Sequence, residues 1–233
     1  MRLITRKKVE GIIQRLSDEG LEAALFVNSE PIIDQNIEYM TGFGGMLSGA
    51  LLITKGKLKL LTTDIDYERA EREAVADEII RIERKGGFYK SIKEQTKSHE
   101  SIGVIKTKFT VAMAEAIKIR KSCMKDVDHI MSQARAIKTQ KELDAIRQCA
   151  RISNGGIKFL ETHIASGMKE SAVSTGLEQK LRELGSAEPA FPTIVTSGKR
   201  SALIHPYLHA SDKRISNGLG IIDFGVRKNG YVS

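Results

Sequence analysis

The stretch ALLITKGKLKLLTT at residues 50–63 contains two apolar runs separated by a short turn sequence, KGK, at residues 55–57. Two apolar runs around a short turn that contains glycine are typical of a β-hairpin. Upstream, residues 23–27 (AALFV) are continuously apolar, as in a strand that is buried on both faces. Further upstream, apolar side chains recur at helical spacing over residues 4–19, and Gly20 ends this pattern.

Downstream of the hairpin, helical and strand-like patterns alternate along the chain. In order, we predict a helix over 67–76, a strand over 79–82, a helix over 87–97, a strand over 101–105 and a helix over 111–119. Strands that alternate with helices predict an α/β domain with a mostly parallel or mixed sheet. We assign this N-terminal domain to residues 1–131.

A second unit, assigned to residues 132–233, begins with a long amphipathic helix. Thr139 and Glu142 have the spacing of a capping box, in which a hydroxyl and a carboxylate each bond a free amide at the helix start. The apolar residues that follow recur every three or four positions: Leu143, Ile146, Cys149, Ile152 and Ile157. A second helix is predicted over 171–184, and residues 191–198 (FPTIVTSG) have the pattern of a strand. Two helices followed by β-structure predict an α+β unit.

The composition argues against several classes of partner. With 41% hydrophobic and 28% charged residues the chain is typical of a globular protein, and no apolar run approaches the roughly 20 residues that span a bilayer. The net charge is +8, but the basic residues over 63–78 alternate with acidic ones, unlike a stripe that follows phosphates. We therefore expect neither a membrane nor a nucleic-acid partner. Cys123 and Cys149 match no metal spacing, and so few cysteines suit a reducing, cytoplasmic location.

The sequence ends in the clearest candidate for chemistry. Residues 218–233 (GLGIIDFGVRKNGYVS) form an apolar strand that ends at Asp223, followed by a second strand. A carboxylate at a strand end is held rigidly, which suits metal ligation, although Asp before Phe-Gly is also common in turns. A catalytic metal needs several ligands, so one carboxylate is insufficient. We expect most of the site to lie beyond Ser233, so that the chain is the N-terminal portion of an enzyme.

Two histidines precede this strand on a loop. His205 follows the strand and the glycine-containing turn in FPTIVTSGKRSALIHP, residues 191–206. From a loop beside the strand, an imidazole can donate a hydrogen bond or a proton to a reacting carbonyl. His209 is a second candidate for this position. Taken alone, His205 is an ordinary loop histidine, and so is His209.

Several segments of the second unit match a known family in order: IKTQKELDAIRQCARISNGGI, SGMKESAV, LRELGSAEPAFPTIVTSGKRSALIHP, SDKRI and IIDFGVRKNGYVS. Through them the chain resembles the pita-bread metallopeptidases, which include Xaa-Pro dipeptidase (prolidase), aminopeptidase P and methionine aminopeptidase, and it is most similar to the Xaa-Pro branch. In the first unit, GLEAALFVNSEP and NIEYMTGF are similar to the creatinase-like N-terminal domain of that branch. The resemblance implies an α/β creatinase-like N-terminal domain followed by the first half of an α+β pita-bread catalytic domain.

The resemblance also implies an activity, the hydrolysis of the peptide bond that precedes proline by a two-metal Xaa-Pro peptidase. Asp223 matches the first metal-ligand aspartate of the family. His205 matches the histidine that lies beside the substrate and helps to stabilise the tetrahedral intermediate, and His209 is its rival. The implied cofactors are two divalent ions, manganese or cobalt, which activate a bridging hydroxide. The expected partners are a proline-containing peptide and a second copy of the chain in a homodimer.

The remaining ligands of the family, a second aspartate, a histidine and two glutamates, have no counterpart in this sequence. We therefore expect the chain by itself neither to bind a metal pair tightly nor to cleave Xaa-Pro peptides, and its second unit to be less well packed than its first. Two alternatives stay open. One is a non-catalytic pita-bread module for protein interaction, and the other is a metal-free, creatinase-like amidinohydrolase.

Overall fold

The computed structural model describes residues 4–82 and 87–233. The chain divides into two compact units, Met1–Thr139 and Gln140–Ser233. The division that we assigned from the sequence, between residues 131 and 132, falls within a helix that spans Asp128–Ala136. The residue at which the second functional domain begins stays a prediction.

A mixed β-sheet forms the centre of the first unit, as the sequence predicts. The strands in the described residues are β1 (Ala23–Ser29), β2 (Ser48–Thr54), β3 (Lys57–Thr63), β4 (Glu78–Ile82), β5 (Ile102–Val104) and β6 (Met124–Asp126). Their order across the sheet is β4-β3-β2-β1-β5-β6. Strands β1, β2 and β3 are antiparallel neighbours, whereas β3 and β4 are parallel, as are β1, β5 and β6.

The predicted hairpin is formed by β2 and β3. Thr54 pairs with Lys57, and the two residues between them, Lys55 and Gly56, have φ angles of 49° and 75°. Two consecutive positive φ angles belong to a type I′ turn, whose twist matches that of the paired strands. The turn sequence therefore determines the register of the two strands at the centre of the domain.

Helices cover both faces of this sheet. In the described residues they are α1 (Arg6–Asp18), α2 (Gln35–Thr41), α3 (Asp64–Glu73), α4 (Phe88–Thr96), α5 (Val111–Ile117) and α6 (Asp128–Ala136). Successive residues of β1 enter different cores: Phe26 lies in one with residues of α1 and α6, and Leu25 in the other with residues of α4 and α5. Because both faces are covered, β1 is apolar at consecutive positions.

Residues 140–233, all of which the structure describes, form two α-helices and five short strands. These are α7 (Gln140–His163), α8 (Glu170–Glu183), β7 (Glu188–Pro189), β8 (Ile194–Ser197), β9 (Gly220–Asp223), β10 (Val226–Lys228) and β11 (Tyr231–Val232). Strand β8 pairs with β9, and β10 pairs with both β7 and β11; all these pairs are antiparallel. The unit is therefore of the predicted α+β type.

A single apolar cluster holds the second unit together. It contains Cys149, Ile152 and Leu160 of α7, Val173, Leu177 and Leu181 of α8, and Val195 and Val226 from the strands. The two helices approach closely at Gly156, where an added Cβ atom would lie 2.8 Å from Leu181 and 3.1 Å from Leu177. In the described parts of both units, no helix is both long and apolar enough to cross a membrane.

Candidate functional site

Asp223 is the last residue of β9 and lies opposite Ile194 of β8 in the antiparallel register. Its side chain is exposed. On its other edge, β8 contacts the segment that carries His209: the Val195 amide donates to the His209 carbonyl oxygen at 2.9 Å, and Val195 forms a parallel bridge with Ala210. Asp223 and His209 therefore flank the same strand, so their backbones are separated by two inter-strand spacings, roughly 10 Å.

His205 lies on the connection between β8 and β9. A short 3-10 helix, Gly198–Ala202, follows β8, and the chain then continues through an irregular loop to Ala210. The His205 side chain is exposed, whereas that of His209 is half-buried. The structure thus places both sequence-predicted histidines on the loop that leads from one strand of the β8–β9 pair to the other.

These residues alone do not form a metal centre. Within residues 4–82 and 87–233, no group of three or more His, Cys, Asp and Glu side chains is arranged to hold a metal ion. Asp223 supplies one carboxylate at the end of a strand, whereas catalytic zinc sites, for comparison, use three protein ligands. The described residues therefore do not fit a complete metal site.

Glu170, which the sequence analysis missed, is the centre of a buried polar cluster. It is the first residue of α8, and it is 0% exposed. Its Oε1 atom accepts from the Ser197 amide at 3.0 Å. Its Oε2 atom accepts from Arg200 Nε at 3.2 Å, from the Ser211 amide at 3.2 Å and from Ser211 Oγ at 2.5 Å. One carboxylate thus receives four hydrogen bonds, from the last residue of β8 and from two residues of the β8–β9 connection.

The pKa of Glu170 follows from this environment. Burial acts to raise the pKa of the carboxyl group, and it is the largest single influence. The hydrogen bonds from Ser211 and from the Ser197 amide, together with the charge of Arg200, outweigh burial and hold the pKa below its ordinary value. Glu170 is therefore an anion that is fully paired inside the second unit.

A sequence signal for Glu170 exists. The buried residues of α8 are Glu170, Val173, Leu177 and Leu181, which follow each other at three- and four-residue spacing. Such spacing defines one face of a helix, so Glu170 continues the apolar stripe by one turn. A charged residue that continues a buried apolar stripe is expected to have a partner of its own, for a structural or a functional reason. The other glutamates of α8 do not continue this stripe.

A second buried glutamate anchors the strands that follow Asp223. Glu142 of α7 accepts a hydrogen bond of 2.7 Å from the hydroxyl of Tyr231 in β11. The thiol of Cys149 donates to the Tyr231 carbonyl oxygen at 3.4 Å, and burial raises the pKa of this thiol. The return strand after Asp223 is thereby held against α7 by polar contacts as well as by the apolar core.

Comparison with known proteins identifies the family. Residues 8–137, more than half of the chain, match the family model described as Creatinase/Prolidase N-terminal domain. The chain belongs to the creatinase/prolidase family. Residues 144–233 match a second model, Metallopeptidase family M24. The predicted resemblance and fold class are confirmed, and divalent metal ions are the cofactor class of this metallopeptidase family.

Relatives of this creatinase/prolidase chain agree with the assignment. Xaa-Pro dipeptidase from Pyrococcus horikoshii is 30% identical over 233 residues, which cover 99% of this chain and 63% of the relative. The solved prolidase from Pyrococcus furiosus superposes with a TM-score of 0.85 at 27% identity, covering 97% of this chain and 68% of that one. Xaa-Pro dipeptidase from Bacillus anthracis gives a TM-score of 0.84 at 27% identity, covering 97% and 62% respectively. The chain thus spans about 63% of the length of the dipeptidase from Pyrococcus horikoshii.

Proposed function

We propose that this chain contributes the N-terminal domain and the first metal-binding strand to an Xaa-Pro peptidase, an enzyme that hydrolyses the peptide bond preceding proline. The observation that carries the proposal is the match over 99% of the chain to a relative named Xaa-Pro dipeptidase. The match to a metallopeptidase family over residues 144–233, which include both candidate histidines and Asp223, supports it.

In this proposal Asp223 is a ligand of one metal ion of a pair, with manganese or cobalt as the metals. Its position at the end of a paired strand supports this role, because the register with Ile194 restricts the directions in which the carboxylate can point. Its exposure supports the role as well, since the side chain is free to meet further ligands and substrate. The metal pair would supply Lewis acidity and an activated water.

His205 is proposed to lie beside the substrate and to donate to the oxygen of the scissile carbonyl. Its exposed imidazole on the β8–β9 connection supports this role. His209 is the alternative, because its backbone is tied to β8 directly opposite the side on which Asp223 lies. In an active peptidase, His205→Ala is expected to lower kcat by 10²–10⁴-fold, as is typical for a general acid or base. A larger loss in His209→Ala than in His205→Ala would assign the role to His209.

The partners in this proposal are a proline-containing peptide and a second copy of the chain, in the cytoplasm. The two cysteines of the sequence, Cys123 and Cys149, are both free thiols, which supports a reducing compartment. Light scattering after size exclusion tests the homodimer: a mass of twice 25.8 kDa is expected for this chain, and a monomer over the micromolar range would contradict it.

The reading frame downstream of codon 233 provides the first test of the function. The proposal expects an aspartate codon immediately after Ser233, followed later by codons for one histidine and two glutamates. Other residues at these positions would contradict the peptidase and would favour a protein-interaction module.

Turnover provides the second test. Hydrolysis of Leu-Pro is measured with added manganese or cobalt, for residues 1–233 alone and for a protein that contains all the ligand positions. Turnover is expected only for the latter, and Asp223→Asn is expected to reduce it to background. The exposed Asp212 serves as the control, because Asp212→Asn leaves the proposed site intact. Turnover by residues 1–233 alone, or full activity of the Asp223→Asn variant, would overturn the assignment.

A further inference from the structure

The connection between β8 and β9 carries the proposed substrate-facing histidine with little apolar support. In residues 203–208 the side chain of Pro206 is buried, whereas those of Ile204 and Tyr207 are 81% and 97% exposed. The His205 side chain is exposed as well. Exposed side chains contribute little burial energy, so a segment of this kind has low local stability unless polar contacts hold it.

Glu170 holds together the two ends of the loop formed by residues 198–210, the first part of this connection. Ser197, the last residue of β8, and Ser211, the first residue after the loop, both donate their amides to the Glu170 carboxylate. The backbone of α8 adds a second contact at Ser211, because the Ser171 amide donates to the Ser211 carbonyl oxygen at 2.9 Å. One buried side chain on α8 thus restrains the distance between the ends of the loop, together with the backbone contacts of Val195 with His209 and Ala210.

Arg200 extends this anchor to the middle of the loop. Its Nε atom donates to Glu170, and its Nη2 atom donates to the Leu208 carbonyl oxygen at 2.6 Å. The guanidinium group is planar and rigid, so it fixes the position of Leu208 relative to Glu170. Leu208 and Arg200 lie on either side of His205 in the chain, and the histidine is therefore contained in a short loop that this contact closes.

We infer that Glu170 and Arg200 are positioning residues that hold the His205-bearing loop in a single conformation through a partly buried ion pair and the Arg200–Leu208 contact. The role for His205 rests on the proposed peptidase function, whereas the tether is a property of the second unit and is measurable without turnover. A reaction that depends on a loop histidine needs such a restraint, because a misplacement of about 1 Å costs on the order of 100-fold in rate.

The test uses Arg200→Met, which keeps an unbranched chain over the first part of the side chain and removes all its donors. Arg182→Met is the matched control, since Arg182 is an exposed arginine in the last turn of α8. Backbone order parameters from ¹⁵N relaxation are measured over residues 203–208 and over α7 and α8, and the imidazole ¹⁵N shifts of His205 are recorded. Arg200→Lys, which keeps the charge, serves as the conservative variant.

In Arg200→Met, order parameters over residues 203–208 are expected to fall from about 0.85 to below about 0.6, with those of α7 and α8 unchanged. The His205 shifts are expected to move towards those of a free histidine. Arg200→Lys is expected to give intermediate values, because an ammonium group can donate to Glu170 but lacks the fixed fork geometry. Arg182→Met should be indistinguishable from the parent chain.

Unchanged order parameters and unchanged His205 shifts in Arg200→Met would overturn the inference. An equal loss of order in α7 and α8 would also overturn it, since Arg200 would then support the fold in general and not the loop. The outcome is separable from that of the peptidase proposal. Loss of loop order without any Leu-Pro turnover in a protein with all ligands would refute the function alone, whereas turnover with an unaffected loop would refute the tether alone.

Discussion

Two buried carboxylates show how local partners decide the charge state of a side chain. Glu170 receives hydrogen bonds and faces Arg200, which together overcome the effect of burial and lower its pKa. Asp34, the N-cap of α2, is 2% exposed and accepts hydrogen bonds from Asn36, including one from the Asn36 backbone amide at 3.0 Å. Burial raises the pKa of Asp34, and the nearby charges of Lys108 and Arg135 offset this only in part. The balance between burial and the neighbouring donors and charges therefore separates the two groups.

Asp34→Asn is expected to remove a pH dependence from the first unit. Because the folded state raises the pKa above 3.8, the contribution of Asp34 to stability is present at low pH and lost as the pH rises through the folded-state pKa. Asparagine keeps the N-cap acceptor without the charge. Urea unfolding, followed at backbone amide signals of residues 4–82, should show the variant gaining stability relative to the parent between pH 4 and pH 8.

The exposed Asp18 provides the control for this experiment. Asp18→Asn removes the same charge at the surface, where the exposed carboxylate accepts a hydrogen bond of 2.8 Å from Gln14. If the stability difference between Asp34→Asn and the parent were constant over the pH range, the buried carboxylate would not be the cause.

At the scale of elements, replacing glycine by alanine is expected to lower stability in a turn and to raise it in a helix. Gly56→Ala is expected to destabilise the β2–β3 hairpin by about 1–2 kcal/mol, because the residue has a φ angle of 75°. Gly11→Ala lies in α1 with no heavy atom within 4 Å of the added Cβ, so a gain of about 0.5–1 kcal/mol is expected. Urea midpoints of the first unit measure both changes, and effects of the same sign would contradict this explanation.

A second pair of glycines tests the packing of the helices in the second unit. Gly156→Ala places a methyl group 2.8 Å from Leu181 and 3.1 Å from Phe224, which is expected to cost about 1–3 kcal/mol. Gly176→Ala meets only Phe159, at 3.7 Å, so an increase in helix propensity should leave stability equal or higher. Thermal unfolding of the second unit distinguishes the two variants. Equal melting temperatures would show that α7 and α8 adjust to the added volume.

Elements with strong periodicity were predictable, and short or polar elements were not. The hairpin at 50–63, α1 and α7 lie where the pattern of apolar residues places them. Helix α2, strand β6 and helix α6 were missed. Strand β6 has only three residues, so its pattern carries too little information, and its assignment depends on pairing with β5.

At the scale of the whole molecule, the two units differ in how their sheets are covered. Residues on both faces of the first sheet belong to apolar cores. In the second unit, most of β9 is exposed, including Ile221 at 41%. Burial of both faces stabilises a sheet more than burial of one, because apolar area removed from water is the main favourable contribution.

Hydrogen exchange is expected to reflect this difference. Amides of β1, β2 and β3 should exchange at least about tenfold more slowly than those of β8 and β9 in the chain of residues 1–233. Strong and equal protection in both units would show that the second unit is as well packed as the first, contrary to the prediction from its sequence.

The sequence by itself determined what depends on neighbours along the chain: the hairpin turn, the amphipathic helices, the order of α/β and α+β units, and the motif segments that predicted the family. It also singled out Asp223, His205 and His209, whose roles stay predictions. The tertiary structure alone decided that Glu170 is buried, that Ser197, Arg200 and Ser211 converge on it, and that Asp223 and His209 flank the same strand. These facts depend on contacts between residues 14 to 41 positions apart, which periodicity and local propensity do not encode.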